Sequence, residues 1–235
     1  METGSHPANA DFFSSWSGGK DSCLALYRAV RAGGRARRLL TMMAEDGAKS
    51  RFHGIPAALF EAQSRSLGIP AEFIAEPWEK YEEAFTAAMK RFKQGGITAG
   101  VFGDIDIEEH RAWVRKVCAA AGVTPIHPLW KEGRRGLLEE FIGLGFKAVI
   151  IAVQDDKLDR KFLGKAIDLE TLAGFEKAGV DPSGEMGEYH TLVTDGPIFS
   201  APVGYRAKGI SGREGYSFLE IEAGPGAGRT PAATA

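Results

Sequence analysis

The sequence predicts an α/β protein: a parallel sheet with helices on both faces, followed by a smaller C-terminal α/β unit. Three observations carry this expectation. Short apolar runs alternate with amphipathic helical segments of about 10–15 residues through the first half, the pattern of successive βαβ units. A glycine-rich turn, Ser17-Gly18-Gly19, stands at the first strand-to-helix junction, where doubly wound sheets place their ligands. The rhythm breaks at Pro125-Ile126-His127-Pro128, which divides the chain into residues 8–127 and 128–223. Residues 1–7 contain Gly-Ser-His, lack the apolar core of a signal peptide and read as an artificial addition. Residues 224–235 hold only Gly, Pro, Ala, Thr and Arg and read as a disordered tail.

Each element has its own signal. Phe12-Phe13-Ser14-Ser15-Trp16 is the first strand, and Leu24, Tyr27 and Val30 then fall at helical spacing until Gly33-Gly34. Arg38–Ala44 is a second buried strand. A helix over Ile55–Leu67 has Pro56 in its first turn and Gly68 at its stop. Glu72–Ala75 is a third strand; Tyr81, Phe85, Ala88-Met89 and Phe92 form one apolar stripe ended by Gly95-Gly96. Ala99–Gly103 is a fourth strand, backed by a helix through Ile107, Val114, Val117-Cys118 and Ala121. Asp106 with Glu109 forms a capping box for that helix. Beyond the break come a helix (Leu137–Leu144), a very apolar strand (Lys147–Val153), charged helical segments from Leu158 to Ala178, and a glycine-rich loop (Val180–Gly187). Tyr189–Thr194 can enter a strand, and hairpin strands follow near Val203–Lys208 and Tyr216–Ile221.

The composition bounds the function. At roughly 150 residues per domain, 235 residues give roughly 1.6 domains, enough to bury a real core. Lys+Arg 29 against Asp+Glu 31 leaves a net charge of −2, which argues against a dedicated nucleic-acid binder. No run of about 18 apolar residues exists to span a membrane. Two cysteines, Cys23 and Cys118, cannot make a disulfide framework or a four-cysteine zinc site, so a reducing cytoplasm is expected. Glycine, at 30 residues, is about twice its usual share, and the excess asks where glycine is needed.

The strongest chemical signal is Ser17-Gly18-Gly19-Lys20-Asp21-Ser22. Adjacent glycines let a backbone turn its amide N–H groups onto an anion. The following helix adds the positive end of its dipole, Lys20 a full charge, and Ser17 and Ser22 hydroxyl donors. These parts favour a phosphate or pyrophosphate. The spacing is not Walker A, which puts four residues between its glycines and Ser or Thr directly after Lys. A plain turn with Asp21 as cap accounts for the glycines but not for lysine and two serines in one turn. The segment resembles the signature of the PP-loop ATP pyrophosphatases, which cleave ATP between its α- and β-phosphates. That resemblance implies a Rossmann-like (HUP-type) sheet, Mg-ATP as substrate and activation of an acceptor by adenylation. It further implies that Ser17, Gly18, Gly19, Asp21 and Ser22 hold the pyrophosphate, with Lys20 beside them.

Other polar residues gather where the same crevice should lie. Gly103-Asp104 ends the fourth strand, and Asp104 is a hard oxygen ligand suited to Mg²⁺ beside a triphosphate. Ser50, Arg51, His53 and Gly54 follow the second strand, where ribose or base would sit; His53 is a candidate nucleotide contact. Met42 and Met43 either wall the adenine or belong to the core. In the second half, Gly184-Glu185-Met186-Gly187-Glu188-Tyr189-His190-Thr191 packs acids, a base and hydroxyls between flexible glycines. Composition alone leaves it divided between a reaction site and a polar surface loop.

Glu188-Tyr189-His190-Thr191 followed by Asp195-Gly196-Pro197, with the upstream Gly103–Val114 segment and Pro128-Leu129-Trp130, resembles the diphthine–ammonia ligase family. The likeness runs from about Phe12 to Phe199. It implies an ATP-dependent ligase that adenylates a carboxylate and transfers ammonia, making the last amide of diphthamide on a translation elongation factor. It implies a site between the two units, with Glu185, Glu188, Tyr189, His190 and Thr191 catalytic and Glu188 or His190 handling the ammonium proton. Met186, where archaeal and eukaryotic members are expected to carry Asn, and the Ser-Trp-Ser-Gly-Gly opening with Cys23 after it depart from the family pattern. They leave the acceptor open between diphthine and another carboxylate. A nucleotide-binding sensor without turnover is the alternative from another class; the second motif argues against it, since a pure binder has no use for it. Transfer RNA thiolation or lysidine formation fits less well, because the cysteines fall in helices and no basic tract is visible. The oligomeric state stays open, a homo-oligomer included.

Overall fold

The first apolar run forms β1 (Asp11–Ser15), the central strand of a five-stranded parallel sheet in this computed structural model, which describes residues 9–225. Its neighbours are β2 (Arg35–Met43) and β4 (Ala99–Val101); β3 (Ala71–Ala75) lies outside β2 and β5 (Thr124–Ile126) outside β4. All four pairings are parallel. The chain builds outward from β1 on one side and then on the other. A crevice therefore opens at the carboxyl ends of β1 and β4, the topological switch point.

Alternation along the strands decides the layers. Phe12 and Leu39 enter one core with α1 (Lys20–Arg31) and α2 (Ala57–Leu67). Phe13 and Leu40, one residue on, enter the other with α3 (Tyr81–Gln94) and α4 (Glu108–Ala121). Both faces are thus covered, as the near-continuous apolar strands require.

One strand has no counterpart in the sequence pattern. Thr124–Ile126 pairs with β4 as the fifth strand. At three residues with a proline it is too short to show a strand pattern, and as an edge strand it tolerates that proline. The capping box is also absent. Ile107 occupies the N-cap of α4 with no side-chain cap, and Asp106 gives both carboxylate oxygens to Arg134 instead.

The second half forms a four-stranded antiparallel sheet, order β7-β6-β9-β8, from β6 (Lys147–Gln154), β7 (Tyr189–Asp195), β8 (Tyr205–Arg213) and β9 (Tyr216–Ala223). Helices α5 (Arg134–Gly143) and α6 (Leu169–Ala178) accompany it. The charged stretch expected to be helical from Leu158 holds only a short 3₁₀ turn at Arg160–Phe162 before α6, whose N-cap Asp168 accepts from the Thr171 amide. Phe141, Phe146, Ile151 and Leu192 join the same core as α1 and α2, so the two sheets share buried surface.

Residues 1–8, among them the expected artificial addition, and residues 226–235 lie outside the described residues; Gly224, expected in the tail, instead donates its amide to Gly204 O. Among the described residues, no helix is long and apolar enough to cross a membrane.

Candidate active site

The Ser17–Ser22 loop leaves β1 at the crevice and opens α1. Gly18 adopts φ +74°, and a Cβ there would lie 2.8 Å from Gln63 Oε1 and 2.9 Å from Phe60, so both the dihedral and the space call for glycine. Its carbonyl accepts from Gln63 Nε2 (3.0 Å) and from the Val193 amide (2.9 Å). The N–H groups divide into two sets. Gly19 N donates to Ser17 Oγ (3.3 Å) and Lys20 N to Thr191 Oγ1 (3.1 Å). The amides of Asp21 and Ser22 take no acceptor among the described residues. Two open donors at a helix N-terminus make an anion site, half the nest that the sequence suggests.

Gly103 seals the loop from the β4 side. A Cβ there would stand 2.9 Å from Ser22 N and 3.0 Å from Asp21 C, both backbone atoms that cannot swing away. Gly103→Ala should therefore push the phosphate loop from its place, at an overpacking cost of about 1–3 kcal/mol. The expected result in calorimetry is a weakened affinity for ATP with the fold retained; unchanged affinity would show that the loop accommodates the methyl.

Lys20 is buried, and its ammonium is engaged within the chain. It donates to Asp21 Oδ2 (2.8 Å) and to Ser183 O, and lies 5.1 Å from the centre of the Tyr189 ring. Burial works against its charge, but Asp21 and its other acidic neighbours outweigh this and hold the pKa above the usual lysine range.

The cleft has a volume of about 1420 Å³, beyond the roughly 300–1,000 Å³ of a typical small-molecule pocket. Ser17, Gly19, Lys20, Asp21, Ser22, His53, Gly103 and Asp104 line it, as do Glu185, Tyr189, His190 and Thr191 from the second half. Three of the expected catalytic residues are held in the chain's own bonds. Glu188 does not line the cleft; it is buried, and its Oε2 accepts from the Met186 amide (3.0 Å). The Tyr189 hydroxyl donates to Pro182 O (2.5 Å) while its ring stacks on Phe175, and burial raises its pKa. Thr191 Oγ1 receives the Lys20 amide. Tyr189 and Thr191 thus border the cleft with their polar groups already bonded, and Glu188 lies behind it.

Glu185 and His190 border it with side chains that take no hydrogen bond among the described residues. Burial, with Asp21 and Asp104 adding to it and Lys20 and Arg134 opposing, lifts the Glu185 carboxyl to about 7. Its own amide donates to Asp181 Oδ2 (3.1 Å), and its carboxylate takes no donor among the described residues. His190 packs edge-to-face on His53, with ring centres 4.3 Å apart. Burial, then Lys20, drops His53 to about 4, and burial with His53 and Lys20 keeps His190 well below its ordinary value, so both imidazoles are neutral. His53 thus meets the second motif, which its expected nucleotide role did not anticipate. Met42 lines the cleft and Met43 lies in the core; Ser50 Oγ accepts from the Ile55 amide (3.0 Å), and Arg51 donates to Glu76 O.

Asp104 stands at the β4 end of the cleft with its pKa raised by burial, Asp21 adding to the rise. His127 Nε2, buried without a hydrogen-bond partner, lies 3.5 Å from Asp104 Oδ2. Burial, reinforced by Arg111 and Arg115, lowers His127 to about 4, so it brings no charge to the pair. Among the described residues no cluster of three or more His, Cys, Asp or Glu is arranged to hold a metal. The donor set that exists, one or two hard carboxylates beside an anion site, suits an ion bound mostly through phosphate oxygens.

Three residues at the site escaped the sequence reading. Gln63, fully buried, bonds Trp16, Gly18 and Val193 together; its only signal was a polar residue on the apolar stripe of Leu59 and Phe60. Arg134 and Asp181, 47 residues apart, give no local signal.

A family model described as "Diphthamide synthase N-terminal domain" matches residues 12–125, and one described as "Diphthamide synthase C-terminal domain" matches residues 134–223. A curated diphthine–ammonia ligase of Danio rerio is 29% identical over 212 residues, 80% of this chain and 83% of its own length. Its counterpart in Schizosaccharomyces pombe is 27% identical over 219 residues, 78% of this chain and 34% of that protein, so the chain spans about a third of it. A solved structure titled as a predicted subunit of tRNA methyltransferase from Methanocaldococcus jannaschii aligns with a TM-score of 0.43 and 17% identity over 80% of this chain and 98% of that one, too distant to bear on function. Two domain matches in tandem cover most of the sequence, and the chain belongs to the diphthamide synthase family.

Proposed function

We propose that the protein is an ATP-dependent, amide-forming ligase that adenylates a carboxylate and passes the acyl group to ammonia. The observation that carries this reading is the seating of the phosphate loop and the Glu185–Thr191 stretch in one cleft, tied by Lys20 to Thr191 and to Ser183. The name of the relatives, diphthine–ammonia ligase, supports the same reaction class. On this reading the acceptor is diphthine on a translation elongation factor, or another carboxylate presented to the same cleft. The buried free thiols Cys23 and Cys118, the latter pushed up to about 12 by burial, fit a reducing cytoplasm and leave no reactive cysteine for a thiol relay.

In the first step an acceptor carboxylate oxygen attacks the α-phosphorus, the bond to the β-phosphate oxygen breaks, and pyrophosphate leaves. Its charge develops against the open Asp21 and Ser22 amides and the α1 dipole, so this step is driven by positioning and charge neutralisation. Asp104, with Asp21 nearby, would hold Mg²⁺, which supplies charge neutralisation at the phosphates when bound. In the second step ammonia attacks the acyl carbon, the carbon–oxygen bond to AMP breaks, and Glu185 takes the proton that the nitrogen sheds. His53 and His190, being neutral, set no cation against ammonium, and each offers one donor and one acceptor to orient the acyl group.

The direct test is product analysis. Equal AMP and pyrophosphate, dependent on ammonium and on a carboxylate acceptor, are expected; no AMP with any acceptor, a diphthine-bearing elongation factor included, rules the ligase out. A second expectation follows from Glu185. As proton acceptor it must be ionised, so at fixed free ammonia the rate should rise with pH through about 7 and level off above. A profile flat from pH 6 to 8 removes Glu185 from that role.

A further inference from the structure

Arg134, the first residue of α5, lies between the loop that follows β4 and the loop that precedes β7. Its Nε and Nη2 donate to Asp106 Oδ2 and Oδ1 at 2.8 and 2.6 Å, a bidentate pair, and its Nη1 donates to Asp181 Oδ2 at 2.6 Å. Asp181 is in turn the centre of its own loop. Oδ1 accepts from the Ser183 amide (3.0 Å) and Oδ2 from the Glu185 amide (3.1 Å), with the Ser183 hydroxyl shared between them (3.1 and 3.0 Å). One planar cation therefore spans from the strand end that carries Asp104 to the turn that carries Glu185.

We propose that Arg134 is a positioning residue that fixes the Glu185 turn against the Asp104 loop, so that the nucleotide-facing and acceptor-facing halves of the cleft keep one register. The proposal rests on the ligase reading for its significance, but the latch is a physical object that can be tested without turnover. A guanidinium suits this task because it grips two carboxylates in fixed directions at once; an ammonium cannot reproduce the fork. The Lys20 bond to Ser183 O holds the same turn from the phosphate loop. The turn is thus fixed by two cations from different elements, and Arg134 is the one that does not line the cleft.

The experiment is amide hydrogen exchange on the full chain, read residue by residue. Arg134→Met should speed exchange at Ser183 and Glu185 by about tenfold or more, with the α5 amides from Phe141 to Gly143 unchanged. Asp106→Asn, which touches neither amide, should loosen the same two through Arg134. The double variant should loosen them no further than Arg134→Met alone, the non-additivity expected of one connected network. Arg134→Lys should recover only part of the protection. Unchanged exchange at Ser183 and Glu185 in Arg134→Met overturns the latch. So does a uniform acceleration across α5 and β6, which marks a merely structural residue, or an Asp106→Asn variant without effect on the turn. ATP-dependent AMP formation, measured on the same proteins, reports separately on the ligase reading: absent AMP in the unaltered protein defeats that reading and leaves the latch standing.

Discussion

Glu185→Gln should lower the rate of ammonia transfer by about 10²–10⁴-fold, the usual worth of a positioned general base, while ATP binding stays intact. Glutamine keeps the size and the backbone donation to Asp181, so the turn is not expected to move. What it removes is a carboxyl that burial and two neighbouring aspartates hold near 7, where it can take a proton at neutral pH and give it up again. The sign for stability is opposite to that for activity. The folded-state pKa of Glu185 is raised, so the protonated form is favoured by folding, and that contribution is lost as pH rises through about 7. Above that pH the variant, which never ionises, should melt no lower than the parent. Thermal denaturation at pH 8 and single-turnover rates on one preparation separate the two effects. Glu188→Gln is the control: its carboxylate receives the Met186 amide inside the turn, so its loss should affect the turn far more than the proton transfer. Equal rate losses in both variants would make Glu185 one member of a generally fragile loop.

Gln63→Leu should destabilise the fold by about 3–5 kcal/mol despite the similar size of the two side chains. The side chain is fully buried and makes three hydrogen bonds: it accepts from Trp16 Nε1 (2.9 Å) and donates to Gly18 O (3.0 Å) and Val193 O (2.8 Å). Leucine leaves the indole N–H stranded and takes a donor from two carbonyls, one in the phosphate loop and one in β7. Gly18 O keeps the Val193 N–H, but the indole N–H and Val193 O are left unpaired, at about 1–3 kcal/mol each. Gln63→Glu should fare no better, since a carboxylate accepts from Trp16 but cannot donate to either carbonyl. Urea unfolding gives the number; a loss below about 1 kcal/mol would mean that water replaces the amide at little cost.

Much of this molecule could be read from its residues, and the unread parts share a cause. The βαβ alternation and the phosphate loop announce themselves because apolar periodicity and Gly-Gly-Lys are local. β5 failed to do so because three residues containing Pro125 carry no period to detect. Asp106 read as a helix cap because Glu109 stands three residues on, but the charge of Arg134, 28 residues away, outcompetes a local amide. The second motif illustrates the limit best. Its residue types marked a reactive site, yet sequence could not say which side chains are spent on building the turn. Glu188, Tyr189 and Thr191 are so spent, whereas the side chains of Glu185 and His190 border the cleft without a hydrogen bond among the described residues.

The bonds from β7 into the phosphate loop have a consequence for how such a protein can change over time. Val193 N–H meets Gly18 O, and Thr191 Oγ1 receives the Lys20 amide. The first half is therefore not a cassette that could be lifted out and fitted to a new acceptor half, because its Ser17–Ser22 loop is held in place by the other half's strand. New acceptors are more readily acquired by altering the rim of the existing cleft, at positions such as Phe52 and Trp78, which are exposed and bond to neither strand. Lineages of this kind should diversify by repainting one wall while the joint between the halves stays fixed.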